Sequence, residues 1–541
     1  KDGAGYEAEI ANIITSEQDK WFRPSDVCIA PDGSLFVADW YDPGVGGHRI
    51  GDQERGRIFR IAPAEAKYVF DKLDLSTIEG AIEGIKNPNL ARRYLAWNAL
   101  HALQEQALPQ LEELYQSDNQ RNRARALWLL AGIKGKTGEY VSRAIQDKNS
   151  DIRITGLRAA RRYNQDVIPY VSQLVKDPSP QVRRECAIAL HHNTSPEAPA
   201  LWVTLADQYD GKDRWYLEAL GIGMDEQEQK FLTAWLKQAG DHWNTPVGRD
   251  LIWRSKIPMA VPYLVKIIED PQTELDSLPR YFRALDFIPG KEKNSAVAEL
   301  ALLKEPANKK RETYIIAEAI SRMPANTVMQ DSKYKQALAQ VIDSSRGTPE
   351  FIKLVQKFKA SEYYPELVAI ASQAGKSQTS VDAIRAALSL KQNALIRKSL
   401  ENKADTEKEQ NQKLDLIWAL GSAGHNGANG ILLKLITDQD EPLVDRREAV
   451  RALAKSRSGA HALLDLAEKK DFDPQLSQTV AAAMSSTIMK DVKERAARLY
   501  PAPPTKDNKP LPPINVLASM KGDTLDGRVM FNTKGTCAKC H

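Results

Sequence analysis

A chain of 541 residues, 27% charged and 42% hydrophobic, has room for about three or four domains and the composition of an ordinary globular protein. A net charge of +4, spread thinly along its length, makes no case for nucleic-acid binding, and no apolar run approaches the roughly 18 residues of a membrane span. Cys28, Cys186, Cys537 and Cys540 are too few and too scattered for a disulfide framework, so the cysteine information lies in the last pair. Lys1 opens within patterned sequence and without an initiator Met, which reads as a truncated start.

Residues 1–66 read as strands. "EIANIITSEQ", "DVCIAPDGSLFVADW" and "GRIFRIAP" alternate apolar and polar residues with β-branched enrichment. Pro31-Asp32-Gly33 is a turn, with Pro presetting φ and Gly accepting positive φ. So small a sheet is marginal alone and must pack on more of its kind. It should therefore be poorly stable here. Cys28, on an apolar strand, is expected in the core as a small packing residue.

Together "RPSDVCIAPDGSLFVADWYDPG" and "RGRIFRIAP" resemble the last blade of a six-bladed, glucose/sorbosone-dehydrogenase-like β-propeller. The resemblance implies that earlier blades lie upstream of Lys1 and that ligands bind in loops at one end of a central channel. Arg23 and, in the loop from Asp39 to Arg57, Asp39, Tyr41, His48 and Arg57 are then candidates for holding a quinone cofactor, a calcium ion or a polar substrate. The alternative is that Trp40 and Tyr41 close the channel mouth and the charges form a solvated rim. The resembled enzymes draw their catalytic base from an earlier blade, so no catalytic residue is assigned.

From Ser76 the periodicity becomes helical. "NLARRYLAWNAL", "RNRARALWLLAG", "SDIRITGLRAAR" and "PQVRRECAIALH" superpose with Arg93, Arg123, Arg153 and Arg183 in register, thirty residues apart. Three residues on stand Ala96, Ala126, Gly156 and Cys186, all small; seven on stand Leu100, Leu130, Ala160 and Leu190. These positions share one helix face, and the small one lets neighbouring helices approach. The pattern resembles HEAT-type repeats across 75–498. It is sharp over 87–192, returns at Arg446, Ala449 and Leu453, and blurs between about 200 and 430. Such an array exposes a long surface for a protein partner and carries no chemistry of its own. His101 and His191 stand three repeats apart, too far to share a metal. Trp202, Trp215, Trp235, Trp243 and Trp253 are expected to fill the solenoid core, the alternative being a surface for a partner or a sugar.

Residues 499–514 form a proline-rich linker. A short helical segment follows in 515–541, ending on Cys537-Ala-Lys-Cys540-His541. This spacing suits covalent haem attachment: two thioethers from Cys537 and Cys540, and His541 as an axial ligand of the iron. By chance a chain of this composition would carry such a motif about 0.0004 times. A thiol–disulfide pair would want a thioredoxin-like setting, and half a zinc site would want further ligands. Neither is present in the sequence.

The order resembles a family of environmental-bacterial proteins named for a haem-binding CxxCH motif and a dehydrogenase propeller. The fold class expected is mainly α: a HEAT-like α-solenoid, preceded by the last blade of a β-propeller and followed by the first helix of a c-type cytochrome. The resemblance implies a periplasmic or extracytoplasmic redox protein, membrane-associated in some full-length forms, with haem c and a redox partner. A propeller oxidising a small polar substrate such as a sugar or alcohol would deliver electrons to the haem. The alternative is a scaffold binding a protein or carbohydrate partner, with the haem as an accessory relay.

Overall fold

The computed structural model describes residues 1–41, 54–401, 404–469, 472–485, 487, 489–501, 512 and 514–532. The protein is mainly α, a stack of helix pairs with one small sheet, and divides into two compact units, Lys1–Ala319 and Ile320–His541.

In the first unit β1 (Pro24–Ile29), β2 (Leu35–Asp39) and β3 (Arg57–Ile61) form an antiparallel meander in the order β1-β2-β3. The β1–β2 turn follows its sequence: Gly33 takes φ +87°, and Asp32 Oδ1 accepts from the Ser34 amide at 3.0 Å and hydroxyl at 2.6 Å. Two expectations fail. Residues 9–18 form no strand, because alternation supplies a face and not a partner edge for pairing. Cys28 is exposed with the rest of β1, including Val27 and Ile29, because no second layer covers that strand.

The sheet is joined to the first helix pair, Ile78–Lys86 and Leu90–Leu103, through Asn89. Its Oδ1 caps the second helix by accepting from the Arg92 amide at 3.0 Å, while its Nδ2 donates to Ala30 O at 2.7 Å. Successive second helices, Gln120–Ala131, Ser150–Arg162, Pro180–Ala189, Arg214–Gly223, Pro246–Arg254 and Leu278–Asp286, pack each on the next. The pairs therefore continue past residue 200, where the sequence period fades.

The register arginines explain the stacking. Arg153 donates to Asp147 O at 2.8 Å and Lys148 O at 3.2 Å, the carbonyls leading into its own helix, and grips Asp177 in the next repeat's turn. Arg123 does the same with Tyr115 O and Asp147, and Arg183 takes Asp177 O and Pro178 O. Each aspartate also accepts a turn amide, Asn149 N on Asp147 and Ser179 N on Asp177, both at 2.8 Å. The small positions Ala96, Ala126 and Cys186 are fully buried, and a Cβ on Gly156 would sit 2.7 Å from Ala144 Cβ.

The second unit repeats the device. Arg446 donates to Ile436 O at 3.1 Å and pairs with Asp473 at 2.8 Å. Beside it the buried Lys413 meets Glu441 at 2.8 Å and Asp445 at 3.1 Å. Burial disfavours the Lys413 ammonium, but these two carboxylates outweigh it and leave its pKa raised. Glu407–Ser422 approaches Leu443–Leu453 so closely that any side chain at Gly421 would meet the Ala452 backbone. After Leu499 come two short helices, Ile514–Ser519 and Thr524–Asn532.

Candidate functional site

The strand unit brings four of its five candidates together around Asp39, at the end of β2. Its side chain is buried, and its Oδ1 accepts the amides of Arg23 at 2.8 Å and Tyr41 at 3.0 Å. Its Oδ2 accepts Arg57 Nε at 2.9 Å and a terminal guanidinium nitrogen at 2.6 Å. Arg57 also reaches Asp19 at 2.7 Å and lies 4.7 Å from the Tyr41 ring centroid. Burial pushes the Asp39 carboxyl up, but the Arg23 amide, Arg57 and the Tyr41 amide outweigh it and hold its pKa below the ordinary value. Both oxygens are committed to donors, so the arrangement fixes the loop entry and leaves no free base. The Arg23 guanidinium itself turns back to Lys20 O and Phe22 O. His48 lies outside the described residues. Asp19 was missed in the sequence because its partner is 38 residues away.

Cys537, Cys540 and His541 also lie outside the described residues. The helix just before them, Thr524–Asn532, exposes Leu525, Met530 and Phe531. Among the described residues, no cluster of three or more His, Cys, Asp or Glu side chains could hold a metal ion. His101 stacks on Trp97 with centroids 4.6 Å apart, and His191 lies edge-on to His192. Cys186 is buried, and that burial pushes its thiol pKa well up.

The tryptophan cluster divides. Trp202 is fully buried with its indole N–H on Leu220 O at 2.9 Å, and Trp235 is buried, but Trp215 is 58% exposed. Trp253 helps line a pocket of about 210 Å³ with Arg214, Glu218, Arg254, Lys256 and Phe287. Arg283 lies on the same wall. Glu218 is the lone carboxylate there, shared by Arg214 and by Arg254 at 2.9 Å. Arg280 lies 4.0 Å from the Trp253 centroid and holds the indole in place. The pocket is therefore cationic with aromatic walls. Its sequence signal was the interleaving of basic and aromatic residues in "DRWYLEAL" and "LIWRSK", which one-dimensional spacing does not converge.

Among the described residues no helix is long and apolar enough to cross a membrane. Residues 1–65 match a family model described as a domain of unknown function, DUF7133. No curated protein matches the chain. Among solved structures it is similar to importin beta, at 11% identity over 78% of this chain and 67% of that one, with a TM-score of 0.27. Kap121p bound to RanGTP matches at 13% identity over 78% of this chain and 56% of that one, with a TM-score of 0.35. Human deoxyhypusine hydroxylase in complex with glycerol matches at 16% identity over 65% and 96%, with a TM-score of 0.18. At such scores no function or partner passes from those proteins to this chain.

Proposed function

We propose that the chain is a helical-repeat scaffold that carries a covalent c-type haem and serves electron transfer outside the cytoplasm. The observation that carries this reading is the sequence Cys537-Ala-Lys-Cys540-His541. The donor set fits the group: Cys537 and Cys540 would hold it through two thioethers, and the adjacent His541 would be the ligand of its iron. The apolar side chains on Thr524–Asn532 are the kind of surface a porphyrin held nearby would cover. A bound haem supplies a one-electron carrier; the residues of this chain anchor it and tune it through His541 and the burial around it.

The same reading makes residues 1–66 the last blade of a dehydrogenase propeller. Blades not present here would hold the catalytic base, and a quinone or calcium would serve a small polar substrate such as a sugar or alcohol. Support comes from exposed apolar side chains on both outer strands, Val27 and Ile29 on β1 and Ile58 on β3. These are what a neighbouring blade would cover. In this reading Asp39, Arg57, Tyr41 and Arg23 shape the channel mouth.

The test is expression with a c-type maturation system in a bacterial periplasm. The expected result is haem that survives denaturing electrophoresis, a c-type α-band, and loss of the covalent attachment in a Cys537→Ser, Cys540→Ser double variant. An unmodified chain under those conditions sinks the proposal. A second reading, a partner-binding scaffold, is favoured by the cationic pocket around Trp253. It takes an acidic segment of a protein partner. Binding of a poly-glutamate peptide should fall about tenfold in Lys256→Glu with Arg283→Glu, and equal binding would rule it out.

A further inference from the structure

Residues 1–5 lie against the solenoid two to four repeats away from the helix pair that carries the sheet. Asp2 and Gly5 close a tight turn, with Gly5 N donating to Asp2 O at 2.7 Å and Asp2 N to Gly5 O at 3.1 Å. That turn is received by three consecutive second helices. Asp151, in Ser150–Arg162, pairs with Lys1 at 2.6 Å. Gln181 and Arg184, in Pro180–Ala189, donate to Gly3 O and Ala4 O. Asp213, capping Arg214–Gly223, accepts the Ala4 amide on Oδ2 at 2.5 Å and the Tyr216 amide on Oδ1 at 3.0 Å.

The fit is selective by shape as well as by hydrogen bonds. Ala4 is fully buried, so a larger side chain there has no room. A Cβ on Gly3, which has φ +49°, would run into the Asp213 carboxylate. A Cβ on Gly5 would run into the Trp215 indole, which explains the lone exposed tryptophan of the cluster. Asp213 holds the N-cap position that Asn89, Asn119, Asn149 and Ser179 hold in the earlier second helices. There a carboxylate caps the helix with one oxygen and has the other free to accept the Ala4 amide.

We propose that Asp151, Gln181, Arg184, Asp213 and Trp215 form a peptide-binding site on the solenoid that recognises a Gly-Ala-Gly turn. Its occupant is this chain's own Asp2–Gly5 segment. Residues 6–23 form no helix or strand and are almost wholly exposed, so the turn is the anchor of a strap leading to β1. The strap is long enough: at about 3.3 Å per residue it reaches about 60 Å, against about 40 Å for four packed helix steps of about 10 Å. The site thus ties the chain entering the strand unit to the repeats, and an equivalent turn on another molecule would compete for it.

The test uses the full chain. Hydrogen exchange resolved to the N-terminal peptide should show residues 3–5 at least about tenfold slower than residues 9–14, relative to free-peptide rates. Ala4→Glu should abolish that difference and leave helical circular dichroism unchanged. A labelled Lys-Asp-Gly-Ala-Gly-Tyr peptide should then bind the Ala4→Glu chain and not the parent, whose site is filled. Adding Arg184→Met to Ala4→Glu should weaken that peptide about tenfold. Equal exchange in the two segments of the parent, or peptide binding indifferent to Arg184, overturns the site. Neither outcome depends on haem attachment.

Discussion

Asp177 takes Arg153 on both carboxylate oxygens, at 2.7 and 2.8 Å, and its Oδ1 also receives the Ser179 amide. Both side chains of the pair are close to buried, so each charge has exchanged water for the other. Asp177→Ala is expected to cost about 3 kcal/mol in urea unfolding followed by helical circular dichroism, because it strands a desolvated guanidinium and leaves a turn amide unsatisfied. Glu139→Ala, which removes an exposed pair with Lys136, should change stability by less than about 0.5 kcal/mol. A loss at Asp177 no larger than that at Glu139 would mean the ladder is ornament on an apolar stack. The two described cysteines separate the same way: native alkylation mapped by mass spectrometry should mark exposed Cys28 and spare Cys186, whose thiol is buried and held protonated.

At the scale of elements, helix pairs sit as close as their small residues allow. Gly156 meets Ala144 across one pair, and any side chain at Gly223 would meet the Ala187 carbonyl across two neighbouring second helices. Gly156→Leu should therefore cost about 1–3 kcal/mol by forcing two helices apart, read as a lowered urea midpoint, while Gly156→Ala should cost least. A neutral Gly156→Leu would show that the pair can part freely. The small positions, the register arginines and the apolar positions seven on were legible because the first repeats share one length of thirty residues. Beyond residue 200 the pairs persist but the period does not. Short 3-10 turns at Gly240–Trp243, Pro258–Ala260 and Leu275–Ser277 change the spacing, and the N-caps Ser179 and Asp213 already stand 34 residues apart instead of thirty. The strand expected over residues 9–18 failed for a different reason. Alternation describes one strand's faces, whereas a strand exists only when a neighbour's amides and carbonyls meet its own. The loop candidates around Asp39 could be found by residue type, yet their commitment to one another, with Asp19, depends on a convergence that spacing does not encode.

Across the whole molecule, stability should be distributed unevenly. The repeats bury continuous layers of apolar side chains, whereas the sheet has three strands, two exposed edges and apolar residues facing water. What holds the sheet is charged: Asp32 with Ser34 and Arg60, and Asp39 and Asp19 with Arg57. The Ser34 hydroxyl bond, with Arg60, lowers the Asp32 pKa to about 2 from 3.8. The carboxyls of Asp39 and Asp19 are lowered as well. For carboxylates depressed on folding, the stabilising contribution is complete above their ordinary pKa and is lost as pH falls through the folded value. The sheet should therefore loosen between about pH 4 and pH 2 while the repeats remain helical. Pepsin works in that window and supplies the measurement. Cleavage within residues 24–61, normalised to a control peptide at each pH, should rise toward pH 2, and Asp32→Asn should flatten the rise. At neutral pH the same imbalance should direct trypsin first to the strap, after exposed Lys20, since the Arg23–Pro24 bond resists it and the solenoid helices present few unfolded sites. First cuts within the proline-rich stretch, with residues 1–65 left whole, would mean that the sheet is held by more than these ion pairs and one asparagine.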